Sequence, residues 1–280
     1  ALLSQITNQK GQKMPLLHLL ILAIIQGITE FLPVSSSGHL ILLPTLTGME
    51  DQGQLIDVSV HIGTLGAVIL YFWRDSKLAF AGLAHLVTGR FKTPAARLVT
   101  LLILATIPAV IFGLILKITG LYDQLRSITV IGWTMLIFGI VLYIADQKGA
   151  ETKTQSDWNT ADAIKLGLWQ AISLIPGTSR SGISITGARA MGYTRADGTK
   201  IAMLMSIPII ISTGALLGAE AIVTADAAGL RDGAIAAVFA FLTALIALSF
   251  MMRLLRSVSF TPYVIYRVVL GVILLGIAYS

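Results

Sequence analysis

Residues that could act on a phosphate group lie in two short segments of this sequence. The first segment contains Glu30, Ser36 and His39. A carboxylate can act as a general base, proton donor or metal ligand, a serine hydroxyl can act as a nucleophile, and an imidazole can move protons. The second segment contains Arg180, whose forked guanidinium donors match phosphate oxygens. These four residues are the candidate catalytic residues for chemistry at phosphorus.

Other polar residues in the same segments could bind the substrate. Gln26 precedes Glu30 by four residues, so on a helix both side chains would lie on one face. Glycine and serine at a helix start leave backbone N–H groups that favour an anion. The remaining candidates for substrate binding are Ser35, Ser37, Thr178, Ser179 and Ser181. Because serines also cap helices, at least half of the serines in these segments are expected to have only that role.

The composition places these residues in a membrane protein. The 280 residues are 55% hydrophobic and 12% charged, with a mean hydropathy of +0.84, whereas soluble domains have roughly 25% charged residues. The net charge of +6 comes from basic residues in short loops between apolar runs, which is typical of membrane topology signals and not of nucleic-acid binding. The absence of cysteine excludes disulfides, thiolate metal sites and a cysteine nucleophile.

Hydropathy predicts an all-α integral membrane protein with six transmembrane helices. They are predicted at about 55 to 73, 97 to 118, 127 to 145, 199 to 219, 232 to 255 and 262 to 280. Two further apolar segments, Leu16 to Gly48 and Lys165 to Gly192, are interrupted by a centre rich in proline, glycine and serine. Each is predicted to be a re-entrant helix pair: one half-helix in, a bent tip and one half-helix out.

The two interrupted segments are related in sequence. An offset of 144 residues pairs Ser35 with Ser179 and Gly38 with Gly182, among other matches. Each segment is followed by three crossings, and an odd number makes the second copy enter the membrane from the opposite side. This predicts an inverted-topology repeat. Irregular backbone at membrane depth must be buried in protein or line a wet cavity, so we expect the two tips to meet and form the site.

The predicted domain organisation is simple. Residues 1–13 are interpreted as an N-terminal extension and 14–280 as one membrane domain, with repeat one at about 14–146 and repeat two at about 160–280. Lysine and arginine are expected in cytoplasmic loops, and a cytoplasmic loop at 74–97 puts the other basic loops on the same side. The first tip would then enter from the outside and the second from the inside.

Several charged residues have structural alternatives. Glu30 could pair with Arg180 only to hold the tips together, although a carboxylate in a membrane segment is costly and therefore a functional candidate. Asp57 and His61, four residues apart, are interpreted as an interfacial pair in preference to supporting residues of the site. Arg267 lies inside the last crossing and needs an anionic or carbonyl partner, with phosphate contact and snorkelling both open.

The two tip sequences resemble those of a known family. The runs QGITEFLPVSSSGHL, from Gln26 to Leu40, and PGTSRSG, from Pro176 to Gly182, are similar to the two signature motifs of the bacterial undecaprenyl-diphosphate phosphatase family, a bacitracin-resistance type of integral membrane phosphatase. The similarity extends over nearly the whole chain from Met14. It implies a plasma (inner) membrane enzyme that removes the terminal phosphate of undecaprenyl diphosphate, a polyprenyl diphosphate lipid. Such an enzyme recycles the lipid carrier for cell-wall synthesis and confers bacitracin resistance.

The resemblance also implies residue roles and a cofactor. The family's motif residues fall on Gln26, Glu30, Ser36, His39, Ser179 and Arg180. A divalent cation, Mg²⁺ or Ca²⁺, is implied. Because Gln26 carries no charge, Glu30 would be the metal ligand, and substrate phosphates would supply further oxygens. With the charge bias of the loops, the resemblance implies a site open to the periplasmic side.

The predicted reaction is in-line displacement at the terminal phosphorus. Arg180 and tip N–H groups would stabilise the phosphoryl charge, Ser36 would be the nucleophile, His39 would move the proton, and Glu30 would orient His39 or a metal. Direct attack by water, with Glu30 or His39 as base, is also open. The alternative from another class is an alternating-access transporter or flippase of a phosphorylated lipid or anion. The expected partners are the lipid substrate and membrane lipid, with a homodimer as one option.

Overall fold

A computed structural model describes residues 15–48 and 52–280, without the side chains of 44–47, 122–123 and 216–224. The predicted extension at 1–13 lies outside the described residues. Regular secondary structure in the described part is helical. The α-helices are α1 Leu16–Phe31, α2 Ser36–Thr47, α3 Gly53–Tyr71, α4 Trp73–Val87, α5 Pro94–Thr119, α6 Leu121–Gln124, α7 Ile128–Lys148, α8 Thr160–Ile172, α9 Arg180–Ala190, α10 Arg195–Thr224, α11 Ala227–Leu254 and α12 Thr261–Tyr279, and a 3₁₀ helix spans Gln155–Asp157.

Six helices are long and apolar enough to cross a membrane: α3, α5, α7, α10, α11 and α12. They coincide with the six predicted crossings, so the all-α membrane fold is confirmed. Their apolar stretches are only 22–56% buried within the protein. The exposed remainder is too apolar for water and suits the hydrocarbon core of a bilayer. The chain is therefore a multi-pass membrane protein.

Both interrupted segments form broken helices, as predicted. Residues 32–35 separate α1 from α2, and 173–179 separate α8 from α9. At each break one serine has a positive φ, 73° at Ser35 and 71° at Ser179. Each of these hydroxyls accepts a hydrogen bond from the backbone N–H three residues later, at 3.3 and 3.1 Å. The two tips therefore share one local geometry at the positions that the sequence offset pairs.

The two halves of the chain pack against each other in a matching way. α1 packs against α11 and α8 packs against α5, so the first helix of each broken pair contacts a crossing of the other half. α3 with α10 and α7 with α12 form further contacts between the halves. The approach of α1 to α11 requires glycine, since a Cβ on Gly27 would lie 1.9 Å from Thr243 Oγ1. This interleaving is what an internal repeat would produce, while its inverted orientation stays a prediction.

The interpretation of 74–97 as a loop is wrong for most of that segment, which forms α4. Its 15 residues are too short to span a bilayer. Leu78 and Phe80 are 40% and 45% exposed, while a Cβ on Gly82 would lie 2.2 Å from the carbonyl of Ala95 at the start of α5. α4 therefore lies against α5 with apolar side chains still exposed. Hydropathy missed it because charged residues interrupt its apolar positions.

A buried ion network fixes the end of α7 to its neighbours. Asp146 Oδ1 accepts hydrogen bonds from Arg189 Nε at 3.2 Å and Arg195 Nε at 2.7 Å. Asp146 and Arg189 are each 1% exposed. Asp146 Oδ2 also accepts the backbone N–H of Phe260 at 3.1 Å. One carboxylate thus joins α7 to α9, α10 and the start of α12.

Candidate active site

Glu30 lies at the centre of the candidate site, in the last turn of α1, and is 6% exposed. Its Oε1 accepts a hydrogen bond from Arg180 Nη2 at 2.7 Å. Its Oε2 accepts hydrogen bonds from Ser36 Oγ at 2.6 Å and Gln26 Nε2 at 2.9 Å. The structure therefore brings three of the predicted site residues, Arg180, Ser36 and Gln26, into contact with a fourth, the buried carboxylate of Glu30.

Ser36 and Arg180 reach Glu30 from equivalent positions of the two tips. Each directly follows the serine with positive φ, and each is the first residue of its helix, α2 or α9. The tips also contact each other directly, because Ser181 Oγ donates to the carbonyl of Leu32 at 3.0 Å. Glu30 therefore pairs with Arg180, as the structural alternative expected: the ion pair links the tips and places a guanidinium beside Ser36, while the functional role of Glu30 stays a prediction.

His39 is positioned differently from the prediction. Its Nδ1 is 2.7 Å from the carbonyl oxygen of Ser35, and its Nε2 is 2.5 Å from the hydroxyl of Tyr266. The His39 and Tyr266 rings are nearly parallel, with centroids 5.7 Å apart. The proton of Ser36 therefore faces Glu30, and Glu30 does not orient His39. Sequence reasoning missed Tyr266, since a single tyrosine in an apolar crossing gives no local signal.

His61 lies closer to the site than the sequence interpretation suggested. Its Nε2 is 3.8 Å from Glu30 Oε2, and its Nδ1 is 2.7 Å from the backbone carbonyl of Asp57. The Asp57 carboxylate accepts a hydrogen bond from Gln52 at 2.7 Å. The structure thus directs the His61 ring toward Glu30, because α3 packs beside α1. The spacing of Asp57 and His61 indicated only that they share a helix face.

Arg267 binds both tips through carbonyl groups. It is fully buried and does not snorkel. Its guanidinium donates to Pro33 O at 3.4 Å in the first tip, and to Gly177 O at 3.2 Å and Thr178 O at 2.8 Å in the second. These carbonyls do not neutralise its charge. Arg267 therefore holds the tips in register and adds positive charge behind the site.

The tip serines have mainly structural contacts. Ser35 Oγ and Ser37 Oγ are 3.4 Å apart, and Ser179 Oγ and Ser181 Oγ are 3.1 Å apart. Ser35 and Ser179 cap α2 and α9, while Ser37 is exposed. Their predicted role in substrate binding stays a prediction.

Two buried donors in the second tip have no hydrogen-bond partner among the described residues. They are Thr178 Oγ1 and Arg180 Nη1. Because an unpaired buried donor is costly, both groups suit an anionic ligand such as a phosphate oxygen. Arg180 can thus contact Glu30 through Nη2 and a ligand through Nη1.

The described residues contain no cluster of three His, Asp or Glu side chains able to hold a metal ion. The oxygens available beside the tips are those of Glu30 and Oε1 of Gln26, which is buried and has no partner in the described part of the chain. Mg²⁺ and Ca²⁺ prefer oxygen ligands, and Mg²⁺ commonly takes one or two protein ligands plus substrate phosphates. These residues fit a cation held largely by the substrate, but not a cage built by the protein alone.

The fold and the site together define an integral membrane protein with an acidic and a basic side chain placed for phosphate chemistry between two helix tips. Residues 19–273 match the model of the family described as bacitracin resistance protein BacA. The chain belongs to this family.

Similar proteins carry an enzyme name. A protein from Ruegeria pomeroyi, named undecaprenyl-diphosphatase, is 70% identical over 267 residues, which cover 95% of this chain and 100% of the relative. A protein of the same name from Teredinibacter turnerae is 44% identical and covers 93% of this chain and 98% of the relative. Rhodospirillum rubrum has an undecaprenyl-diphosphatase 1 that is 43% identical, covering 95% of this chain and 96% of the relative.

Proposed function

We propose that this protein is an undecaprenyl-diphosphatase, which hydrolyses undecaprenyl diphosphate to undecaprenyl phosphate and inorganic phosphate. The observation that carries this function is the contact of Ser36 and Arg180 with one buried carboxylate, Glu30, in a member of the BacA family. The reaction recycles the lipid carrier for cell-wall synthesis and confers bacitracin resistance. The names of the relatives favour this activity over the transporter or flippase alternative.

The second tip supplies the groups that bind the terminal phosphate. Arg180 Nη1 is buried and unpaired, so it can donate to a phosphate oxygen while Nη2 stays on Glu30. Thr178 Oγ1 is a second unpaired donor in the same tip. The buried charge of Arg267 strengthens the positive potential there, since its described partners are backbone carbonyls.

Ser36 is the proposed nucleophile. Its hydroxyl already donates to Glu30 Oε2 at 2.6 Å, so Glu30 can accept the proton as Oγ attacks the terminal phosphorus. The new Oγ–P bond replaces the P–O bond to undecaprenyl phosphate, which leaves, and Arg180 stabilises the charge on the transferred group. Water then hydrolyses the phosphoserine and releases phosphate. This assigns the serine proton to Glu30 instead of His39.

Direct attack by water uses the same residues in another order. Glu30 would accept the proton of water, and Ser36 would only bind the substrate. Trapping a phosphoserine distinguishes the two routes, and Ser36→Ala with substantial activity would favour water attack.

A divalent cation, Mg²⁺ or Ca²⁺, is part of the proposal. Glu30 and Gln26 Oε1 would hold it together with diphosphate oxygens. When bound, the cation would offset the negative charge of the diphosphate.

The proposed location is the bacterial inner membrane, with the site open to the periplasmic side. Lysine and arginine are concentrated in the segments that join the crossings on one face of the predicted topology, including Arg74 and Lys77 within α4 and Arg90 after it. Because cytoplasmic loops carry this excess, that face is assigned to the cytoplasm. The isoprenoid tail of the substrate would lie between crossings, in contact with lipid.

Phosphate release from undecaprenyl diphosphate by the purified protein in detergent tests the function. Wild type is compared with Glu30→Ala and Arg180→Ala, each with Mg²⁺, with Ca²⁺ and with a chelator. Arg231→Ala is the matched control, because Arg231 also pairs with a carboxylate but its side chain is 64% exposed. Release by wild type and the control, abolished in the two site variants, supports the proposal. No release by folded wild-type protein would refute it.

A further inference from the structure

Tyr266 lies beside the candidate site but belongs to none of the sequence motifs. It is on α12, 44% exposed, and its hydroxyl is 2.5 Å from His39 Nε2. The two rings are inclined by only 10°. This contact joins residues 227 positions apart in the chain, so it depends on the packing of α12 beside the first tip.

The contacts of His39 define which ring nitrogen carries the proton. Nδ1 is 2.7 Å from the carbonyl oxygen of Ser35, which can only accept a hydrogen bond, so Nδ1 carries a hydrogen. Both partners of the ring, a carbonyl and a phenol, are uncharged, so neither supplies a negative charge that would favour a protonated imidazole. His39 is therefore a neutral imidazole. Its Nε2 carries no hydrogen and accepts a hydrogen bond from the hydroxyl of Tyr266.

The position of Tyr266 is fixed by its neighbour in the chain. Arg267 donates to the carbonyls of Pro33, Gly177 and Thr178, and so ties this turn of α12 to both tips. The adjacent Tyr266 is thereby held at a constant distance from His39. One turn of α12 supports the tips through Arg267 and the imidazole through Tyr266.

We propose that Tyr266 is a positioning residue that fixes the orientation of the His39 ring by donating its hydroxyl hydrogen to Nε2, while the carbonyl of Ser35 accepts from Nδ1–H. This inference rests on the proposed diphosphatase function. Under this proposal the two acid–base groups have separate partners. Glu30 accepts the hydrogen bond of Ser36, whereas His39 pairs with Tyr266. Removing the hydroxyl should leave the substrate-binding groups in place while the imidazole loses the contact at Nε2 that fixes its orientation.

The first test compares Tyr266→Phe with Tyr279→Phe in steady-state phosphate release. Tyr279 is the matched control, because it lies on the same helix and its hydroxyl also has one side-chain partner, Trp133 Nε1 at 3.3 Å. Tyr266→Phe keeps the ring and should lower kcat about tenfold with KM changed less than about twofold, as expected for one lost hydrogen bond to an acid–base group. Tyr279→Phe should match wild type. Full kcat in Tyr266→Phe would overturn the proposal.

A double-mutant cycle tests whether Tyr266 acts through His39. In a His39→Gln background the loss from Tyr266→Phe should disappear, since there is no imidazole left to position. An undiminished loss in that background would show that the hydroxyl acts elsewhere and would overturn the proposal.

A spectroscopic readout covers the case in which His39→Gln is too slow to measure. Long-range ¹H–¹⁵N spectra of histidine-labelled protein distinguish the two imidazole tautomers, and His39→Gln identifies the His39 signals among the four histidines. In wild type and Tyr279→Phe, Nδ1 of His39 should carry the proton and Nε2 should show the ¹⁵N shift of a nitrogen that accepts a hydrogen bond, whereas in Tyr266→Phe the Nε2 signal should move toward that of an unbonded acceptor. An unchanged Nε2 signal in Tyr266→Phe would overturn the proposal. The spectra do not depend on activity, so failure of the diphosphatase function would be seen separately, as no phosphate release by wild type.

Discussion

Replacing Arg180 with lysine tests whether the two terminal nitrogens of its guanidinium have separate partners, Glu30 for Nη2 and the transferred phosphate for Nη1. Nη2 is bound to Glu30 at 2.7 Å, while Nη1 is buried without a partner among the described residues. A lysine keeps the charge but offers one ammonium in place of a planar fork, so it cannot hold Glu30 and a phosphate oxygen in the same geometry. Arg180→Lys should therefore remove one charge-assisted hydrogen bond from the transition state.

The expected loss in kcat/KM follows from the loss of that single hydrogen bond between Nη1 and the phosphate. A hydrogen bond to a charged group contributes about 1.5–3 kcal/mol, which corresponds to a loss of about 10- to 150-fold in kcat/KM. Arg180→Ala is a less selective change, because it leaves the buried Glu30 without its counter-charge at a cost of about 3–5 kcal/mol in stability. Arg180→Lys avoids most of that loss of stability, so its effect on catalysis can be measured separately from any effect on folding.

The assay is phosphate release at several substrate concentrations, with thermal unfolding measured on the same preparations. Arg231→Lys is the matched control, since Arg231 binds Asp232 through Nε and Nη2 at 3.1 and 2.9 Å on an exposed surface. It should change neither quantity, because exposed ion pairs contribute little. If Arg180→Lys keeps kcat/KM within about twofold of wild type, Nη1 does not bind the transferred phosphate and the assignment is refuted.

Two further predictions concern stability in detergent. Gly177→Ala should lower the free energy of unfolding by about 1–3 kcal/mol, because Gly177 has a φ of +87° and the new Cβ would lie 2.2 Å from Thr134 Oγ1. Gly276→Ala is the control and should not lower it, because a Cβ on Gly276 would have no neighbour within 4 Å. Asp146→Asn should cost about 1.5–3 kcal/mol, since it removes the buried carboxylate charge that Arg189 and Arg195 share and leaves them only the half-exposed Glu151 as an ionic partner, and Asp232→Asn on the surface should cost much less. Thermal or denaturant unfolding measures both; equal stability within either pair would contradict the reasoning.

The crossings and the tips were predictable because their signals are local. An apolar run of about 20 residues has few structural options in a bilayer. The tip around Pro33 and Ser35 interrupts such a run with residues that break helices or adopt unusual backbone angles. α4 was not predicted, because a helix of 15 residues is too short to span a bilayer and charged residues interrupt its apolar positions. Its apolar side is recognised only when α5 is seen to pack against it.

The contacts in the site that depend on the packing of distant helices could not be predicted from the sequence. Tyr266 meets His39 only because α12 packs against the first tip, and no spacing rule connects two residues so far apart in the chain. His61 points to Glu30 because α3 lies beside α1, whereas its spacing from Asp57 suggested a local pair. Sequence patterns identified the residues able to do chemistry, but the partners of each one were set by tertiary contacts.

The sequence repeat separates the residues that shape the tips from those proposed to act on the substrate. Positions that are the same in both halves, such as Ser35 with Ser179, form equivalent caps and backbone angles. A frame of this kind presents two equivalent helix starts, at Ser36 and Arg180, to the same carboxylate, Glu30.

The residues proposed to carry the chemistry lie at positions where the two halves differ. The same offset pairs Ser36 with Arg180, and it pairs Glu30 and His39 with the apolar residues Leu174 and Ile183. If the halves were identical, the site would contain either two arginines repelling each other or two serines without a cation for phosphate. Divergence at these positions instead gives a hydroxyl and a guanidinium that meet on one carboxylate, the arrangement that the proposed hydrolysis of a diphosphate uses.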